Sequence, residues 1–202
     1  MCGRFVDPNL LGTEFELREI KITPVSRRFN VKPTQDIYID HRGEILTARW
    51  GLIPFWHKGE LKDWKASTIN ARIEEVEEKA TFRSVWKSGR CLIPVGGYYE
   101  WTGEKGSKQP HFFQSAGNEE TLWFAGLVSE WRDLLTCTIM TRAANQWVEQ
   151  VHDRMPVILS ADDREAWLAG STDKEIGAGA RVRHHPVAPF GIKDEGPELI
   201  EA

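Results

Sequence analysis

The chain has little cysteine, no long apolar run and no excess of positive charge, and each shortage removes a class of function. Three cysteines in 202 residues, Cys2, Cys91 and Cys137, are too few for a disulfide-stapled secreted scaffold. None stands in a Cys-x-x-Cys pair, no His/Cys cluster has zinc-ligand spacing, and His184-His185 alone is a weak metal signal. Cys91 and Cys137 lie inside apolar runs (Cys91-Leu92-Ile93-Pro94-Val95 and Leu134-Leu135-Thr136-Cys137-Thr138-Ile139-Met140) and read as small core hydrophobes. No apolar stretch approaches the roughly 18 residues of a membrane span, and the basic-then-apolar pattern of a secretory signal is missing. The expected location is therefore the cytoplasm. A formal net charge of -4 argues against a generic nucleic-acid coat protein, which is basic over its whole surface. Repeats, low-complexity tracts and long linkers are also lacking, so a single domain over 1–202 is expected.

What is present is a large apolar and aromatic complement. With 41% hydrophobic residues, 9 Trp and 9 Phe, the chain can bury a sizeable core. Short β-rich segments alternate with a few amphipathic stretches, which reads as α+β. Asp36-Ile37-Tyr38-Ile39 and Glu44 to Trp50 flank His41-Arg42-Gly43 as a hairpin. Arg90 to Trp101 and His111 to Gln114 make a second candidate hairpin, Leu122 to Glu130 and Leu134 to Thr141 a third. Helices are predicted at Leu10 to Arg18, Ile73 to Lys79, Phe82 to Ser88, Asn145 to Val151 and Asp162 to Leu168, the last opened by a Ser160/Asp163 capping box.

Cys2 is the most informative residue. Once Met1 is removed it becomes the N-terminus, with an α-amine and a thiol two carbons apart. An aldehyde can then condense first with the amine and next with the sulfur, closing a five-membered thiazolidine. Reference pKa values of about 7.7–8.0 for the amine and about 8.5 for the thiol leave a useful fraction of each nucleophilic near neutrality. The alternative is an incidental residue in a frayed terminus.

Three further polar residues stand at predicted element ends. Glu100 follows Val95-Gly96-Gly97-Tyr98-Tyr99 and precedes Trp101, where aromatic surface would desolvate it and raise its pKa toward a general acid's range, unless it is an exposed strand-end carboxylate. His152, in Val151-His152-Asp153-Arg154-Met155-Pro156, is a proton-transfer candidate or a helix cap. Asn70, in Ser67-Thr68-Ile69-Asn70-Ala71-Arg72, can hydrogen-bond an amine or serve a turn. Much of the acid is concentrated in Glu74-Glu75-Val76-Glu77-Glu78, expected as a solvated helix face, and in the tail. If both lie away from the site, Arg4, Arg72, Arg83, Arg142 and Arg154 define a positive groove.

Taken in order, Cys2-Gly3-Arg4-Phe5, Phe29-Asn30-Val31-Lys32-Pro33-Thr34-Gln35, Arg49 to Trp56, Asn70-Ala71-Arg72-Ile73-Glu74, Gly97-Tyr98-Tyr99-Glu100-Trp101 and Val151 to Pro156 resemble the SOS response-associated peptidase (SRAP) family over essentially the whole chain. The stretch Val187 to Lys193 departs from the family pattern, which more often carries Asn and Ser there. The resemblance implies a compact α+β domain with a bifurcated mixed β-sheet, partly closed into a small barrel and surrounded by helices. It implies an abasic-site sensor that binds single-stranded DNA and crosslinks to the lesion. In that likeness the Cys2 amine forms a Schiff base with the opened sugar and the thiol closes the thiazolidine. Glu100 is the general acid/base, Asn70 holds the amine and His152 assists proton transfer.

The resemblance also gives Arg4, Arg72, Arg83 and Arg154 phosphate contacts, sets Trp50, Trp56 and Trp101 beside bases, and has Pro33 and Thr141 line the DNA cleft. It implies a monomer acting at replication forks and the nucleoid, with crosslinking or lyase-type activity, and no cofactor or metal is expected. Two readings compete: an amino-terminal cysteine peptidase using Cys2, His152 and Glu100, and a noncovalent single-strand binder in which Cys2 is idle.

Overall fold

The apolar run from Arg90 to Trp101, expected as one strand, divides at Gly96-Gly97 and feeds two different sheets in the computed structural model, which describes residues 2–9, 27–104 and 106–202. Gly97 has φ +152, and a Cβ there would lie 2.3 Å from the Phe112 ring. Only glycine permits both the backbone and that approach. Before the break β5 (Arg90–Val95) belongs to a barrel, and after it β6 (Gly97–Thr102) belongs to a second sheet.

The barrel is built from β2 (Asp36–His41), β3 (Glu44–Trp50), β5, β8 (Leu122–Trp131) and β9 (Leu134–Ala143). The order runs β9-β3-β2-β5-β8, and β8 pairs again with β9, closing a five-stranded ring. All contacts are antiparallel except β3 with β9. The β2–β3 hairpin turns through Arg42 (φ 57) and Gly43 (φ 81), the doubly positive φ of a type I′ turn. Strand β9 is ten residues long and forks the sheet. Its first half lies beside β3, and its second half takes β4 (Asn70–Arg72) in parallel and β10 (Arg154–Pro156) antiparallel.

The second sheet is antiparallel, in the order β1 (Phe5–Val6), β6, β7 (Gln109–Ser115), β11 (Val182–Pro186). Its side chains alternate between two cores. Tyr98 and Phe113 stack at 4.8 Å on the face turned to the barrel interior, while Tyr99 and Phe112 pack with Val187 and Leu199 on the other.

Helices are fewer than expected. Among the described residues there are two α-helices, α1 (Ala80–Ser88) and α2 (Ala161–Leu168). They cover a third apolar cluster through Phe82, Val85, Trp86 and Trp167, and α2 opens with the expected Ser160/Asp163 capping box. The segment 73–79 forms successive turns instead of a helix. Glu74 is drawn out to Arg154 and the Ala143 amide, and Glu77 to Trp86 and Lys174. The segment 145–151 likewise makes short turns, closed by bonds to Asn145 O and Val148 O. The helix expected at Leu10 to Arg18 lies outside the described residues. Among those described, no helix is long and apolar enough to cross a membrane.

Candidate active site

Cys2 enters the structure at the seam between barrel and second sheet. Strand β1 pairs Phe5 with Tyr98, and Tyr99 N donates to Arg4 O at 3.0 Å. This pulls the residues before Phe5 inward, so that Cys2 is fully buried in the cluster containing Phe5, Trp50 and Tyr98. Its Sγ lies 4.0 Å from Arg4 O. Asn70 opens β4, and its Nδ2 donates to Cys2 O at 2.9 Å. Asn70 Oδ1 is buried and has no hydrogen-bond partner among the described residues, leaving an acceptor beside Cys2. Trp50 sets this geometry from below, its Nε1 donating to Ile69 O at 2.8 Å.

Glu100 reaches the same place from β6, 2% exposed and on the face shared with Tyr98. Burial pushes its carboxyl up to about 7, while the charge of the chain's amino terminus pulls the other way. At neutral pH it is thus divided between acid and base forms. His152, in the turn leading into β10, places Nε2 3.9 Å from Glu100 Oε2. Its Nδ1 accepts from Arg154 N at 2.9 Å and lies 2.8 Å from Asp153 Oδ1. A backbone amide can only donate, so the neutral ring carries its proton on Nε2, toward Glu100, and the Asp153 contact becomes attractive only for the imidazolium. Burial lowers the His152 pKa. The Cys2 thiol moves the opposite way, raised by burial and then by the charge of Glu100. The thiol is therefore protonated at rest, with the Glu100 carboxyl in its surroundings.

The remaining candidates divide between interior and surface. Trp50 is 0% exposed, which corrects its assignment to base stacking: it packs against Phe5 at 5.1 Å inside the core. Thr141 is also fully buried, donating to Ala71 O at 3.4 Å, and is a peg between β9 and β4 with no surface to offer a cleft. Trp56 is 45% exposed, edge-on to Trp64 and beside the exposed Phe55. Trp101 is half-buried against Tyr99 and Phe190, and Pro33 is half-buried before Thr34, which has φ 75.

Most of the arginines are already engaged. Arg154 makes a two-pronged ion pair with Glu74 at 2.6 and 2.9 Å, Arg142 pairs with Glu175 at 2.8 Å, and Arg72 lies 3.9 Å from Glu75. Arg83 donates to the carbonyls of Glu77 and Glu78. The acidic run 74–78 is thus no remote solvated face: Glu74 is fastened to the arginine two residues after His152. Sequence reasoning also passed over Asn30, which is 1% exposed and accepts from Arg4 Nη1 at 3.1 Å. Its position just before Val31-Lys32-Pro33 was the available signal.

No group of three or more His, Cys, Asp and Glu among the described residues could hold a metal ion. A cavity of about 960 Å³ opens elsewhere, lined by residues such as Trp123, Ser160 and Arg181, and shares none of the residues around Cys2. The raised pKa values of Cys2 and Glu100 mark the Cys2 cluster, and not this cavity, as the candidate site.

A family model described as SOS response associated peptidase (SRAP) matches residues 1–188. The abasic site processing protein YoqW of Bacillus subtilis (strain 168) is 35% identical over 185 residues, spanning 83% of this chain and 80% of the relative. The abasic site processing protein YedK of Escherichia coli (strain K12) is 31% identical over 229 residues, spanning 100% of this chain and 99% of its own length. Among solved structures, a crystal structure of a protein from Bacteroides thetaiotaomicron superposes with a TM-score of 0.74 at 26% identity, over 86% of this chain and 84% of that one.

Proposed function

Because the chain belongs to the SOS response associated peptidase family, we propose that it captures abasic sites in single-stranded DNA through a thiazolidine formed by Cys2. Relatives at 31% and 35% identity are named abasic site processing proteins, which supplies the substrate class. The observation that carries the reading is the meeting, around the terminal residue, of Asn70 Nδ2 on Cys2 O at 2.9 Å, a Glu100 carboxyl raised to about 7, and His152 Nε2 at 3.9 Å from it.

The chemistry follows from those positions. With Met1 removed, the Cys2 amine attacks the aldehyde carbon of the ring-opened sugar. Asn70 Oδ1 accepts an N–H of that amine and aims its lone pair. The protonated Glu100 supplies the proton with which the carbinolamine oxygen leaves as water, giving the iminium. Glu100, now a carboxylate, takes the Cys2 thiol proton directly or through His152, and sulfur adds to the iminium carbon as the C–N π pair returns to nitrogen. One water is lost overall and no oxidant is required. A carboxyl pKa near 7 serves both steps, since the same group must give and then accept a proton. The ring leaves no imine to promote β-elimination of the DNA strand.

DNA contacts in this reading come from Arg4, Arg72, Arg83 and Arg154, with Trp56 and Trp101 beside bases and Pro33 at the cleft. The test is incubation of Met1-processed protein with single-stranded oligonucleotides carrying an abasic site or a tetrahydrofuran analogue that lacks the aldehyde. Denaturing electrophoresis is expected to show a shifted band with the first alone. A band with both, or with neither, would remove aldehyde capture. The peptidase reading uses the same cysteine, and no observation in the site favours it.

A further inference from the structure

Among the described residues Arg72, Arg142 and Arg154 each have a carboxylate partner, Arg83 donates to two backbone carbonyls, and Arg4 has neither a carboxylate nor a backbone carbonyl on its guanidinium. Its side chain is held by a neutral group, Asn30 Oδ1, at 3.1 Å. The difference matters for an anion. An arginine neutralised by Glu must give up an ion pair before it takes a phosphate, whereas one held by an amide is oriented with its full charge unspent. Burial lowers the Arg4 pKa, and no neighbouring charge offsets it, which marks a guanidinium lacking a counter-ion.

Asn30 is itself fixed by three bonds. While Oδ1 accepts from Arg4, Nδ2 donates to Gly191 O at 3.1 Å and Asp194 O at 2.8 Å. A flipped amide would set donor against donor at Arg4 and acceptor against two carbonyls, so one orientation survives. The loop supplying those carbonyls is fastened in turn, by Gly191 N on Asp194 Oδ2 at 2.7 Å, Lys32 Nζ on Ile192 O at 2.6 Å, and Phe29 N on the Glu195 carboxylate. The line from loop to reacting residue is short, because Arg4 O lies 4.0 Å from Cys2 Sγ.

We propose that Asn30, clamped by the backbone of loop 187–195, is a positioning residue that aims the Arg4 guanidinium at a phosphate next to the abasic nucleotide, making that loop part of the DNA-binding face. This rests on the function proposed above and adds to it the device that orients one of its contacts. An asparagine is suited to the task because an aspartate of the same shape would cancel the charge it is meant to present.

The test measures noncovalent binding of an abasic single-stranded oligonucleotide across a series of salt concentrations, in a Cys2→Ala background that blocks crosslinking. Arg4→Ala is expected to lower the log–log salt slope by about 0.7, the value for one phosphate on a single strand. Asn30→Asp and Asn30→Ala should lower it by about the same amount, and neither should lower it further when added to Arg4→Ala. A merely structural role would reduce the active fraction without changing the slope. Asn30→Ala keeps the test open if the carboxylate variant fails to fold. An unchanged slope in both Asn30 variants, with Arg4→Ala lowered, overturns the positioning role alone. An unchanged slope in Arg4→Ala overturns it too, and a parent that does not bind DNA overturns this proposal and the functional reading together.

Discussion

Around Cys2 the polar groups are buried and carry shifted pKa values, whereas a short distance away Arg142 and Arg154 reach the surface already tied to Glu175 and Glu74. The two regions come from different parts of the fold. The first lies on the seam where the glycine break sends β6 away from the barrel, so Glu100 and Tyr98 face the cluster that contains Cys2. The second lies along the forked end of β9, where β4, β10 and the turns at 73–78 meet. The difference teaches that the groups around Cys2 are tuned by the fold in advance, through desolvation, whereas the charge of Arg142 and Arg154 is stored in ion pairs that an incoming anion must displace.

The sharpest break of that comparison comes from the terminal residue. Cys2→Ala removes the thiol and is expected to abolish the stable adduct while leaving noncovalent binding in place, as judged by denaturing and native gels of the same mixtures. A variant that still crosslinks would separate the chemistry from the buried site.

Glu100→Gln keeps the shape and removes titration. Single-turnover crosslinking should slow by about 10²–10⁴-fold, the usual contribution of a positioned acid or base. The same variant tests the burial argument through stability. The folded carboxyl titrates near 7 against an ordinary value of 4.5, so the native state holds its proton more tightly than the unfolded chain. The stabilisation is present below about pH 4.5 and lost as pH rises through 7, and wild type should lose about 3 kcal/mol more than Glu100→Gln across that window in denaturant titrations. Equal losses would mean that the carboxyl is solvated.

The two tryptophans divide the regions in another way. Trp50→Ala should cost about 3–5 kcal/mol of folding stability as a large core deletion. Trp56→Ala should leave stability nearly unchanged and weaken single-strand binding by about 1–3 kcal/mol, the scale of one stacked base. Binding lost with stability intact at Trp50 would reverse the assignment.

The smallest effect is expected at Glu74. Glu74→Gln releases Arg154 from its two-pronged pair, and should strengthen binding a little with a steeper salt dependence. Weaker binding would show that Glu74 holds Arg154 in its working position.

Much of this was legible in the sequence where local chemistry decides the outcome. The hairpin at Arg42-Gly43, the β8–β9 pair, α1 and α2 follow from alternation, turn residues and a cap. The burial of Glu100 was one of two readings its aromatic neighbours allowed, and β6 turning it toward the barrel decides between them. The Gly96-Gly97 break was visible as a dipeptide, but where the two halves go is decided by tertiary pairing. The turns at 73–78 escaped because Glu74 and Glu77 find partners distant in sequence, Arg154 and Lys174. Trp50 shares a strand face with Ala48, both buried, and that alternation was the sign that it points inward. Asn30 stands in the segment Phe29 to Gln35, yet its bond to Arg4 spans 26 positions and no local pattern announces it.

The most direct test is the intact mass of the denatured mixture of Met1-processed protein and abasic oligonucleotide, before and after borohydride. The account predicts an adduct at the summed masses less one water, absent from the unreduced Cys2→Ala mixture and, in the parent protein, unchanged by the reductant, because a thiazolidine has no C=N bond to reduce. A parent adduct that gains two hydrogens on reduction, or a stable adduct in Cys2→Ala without reductant, would contradict it.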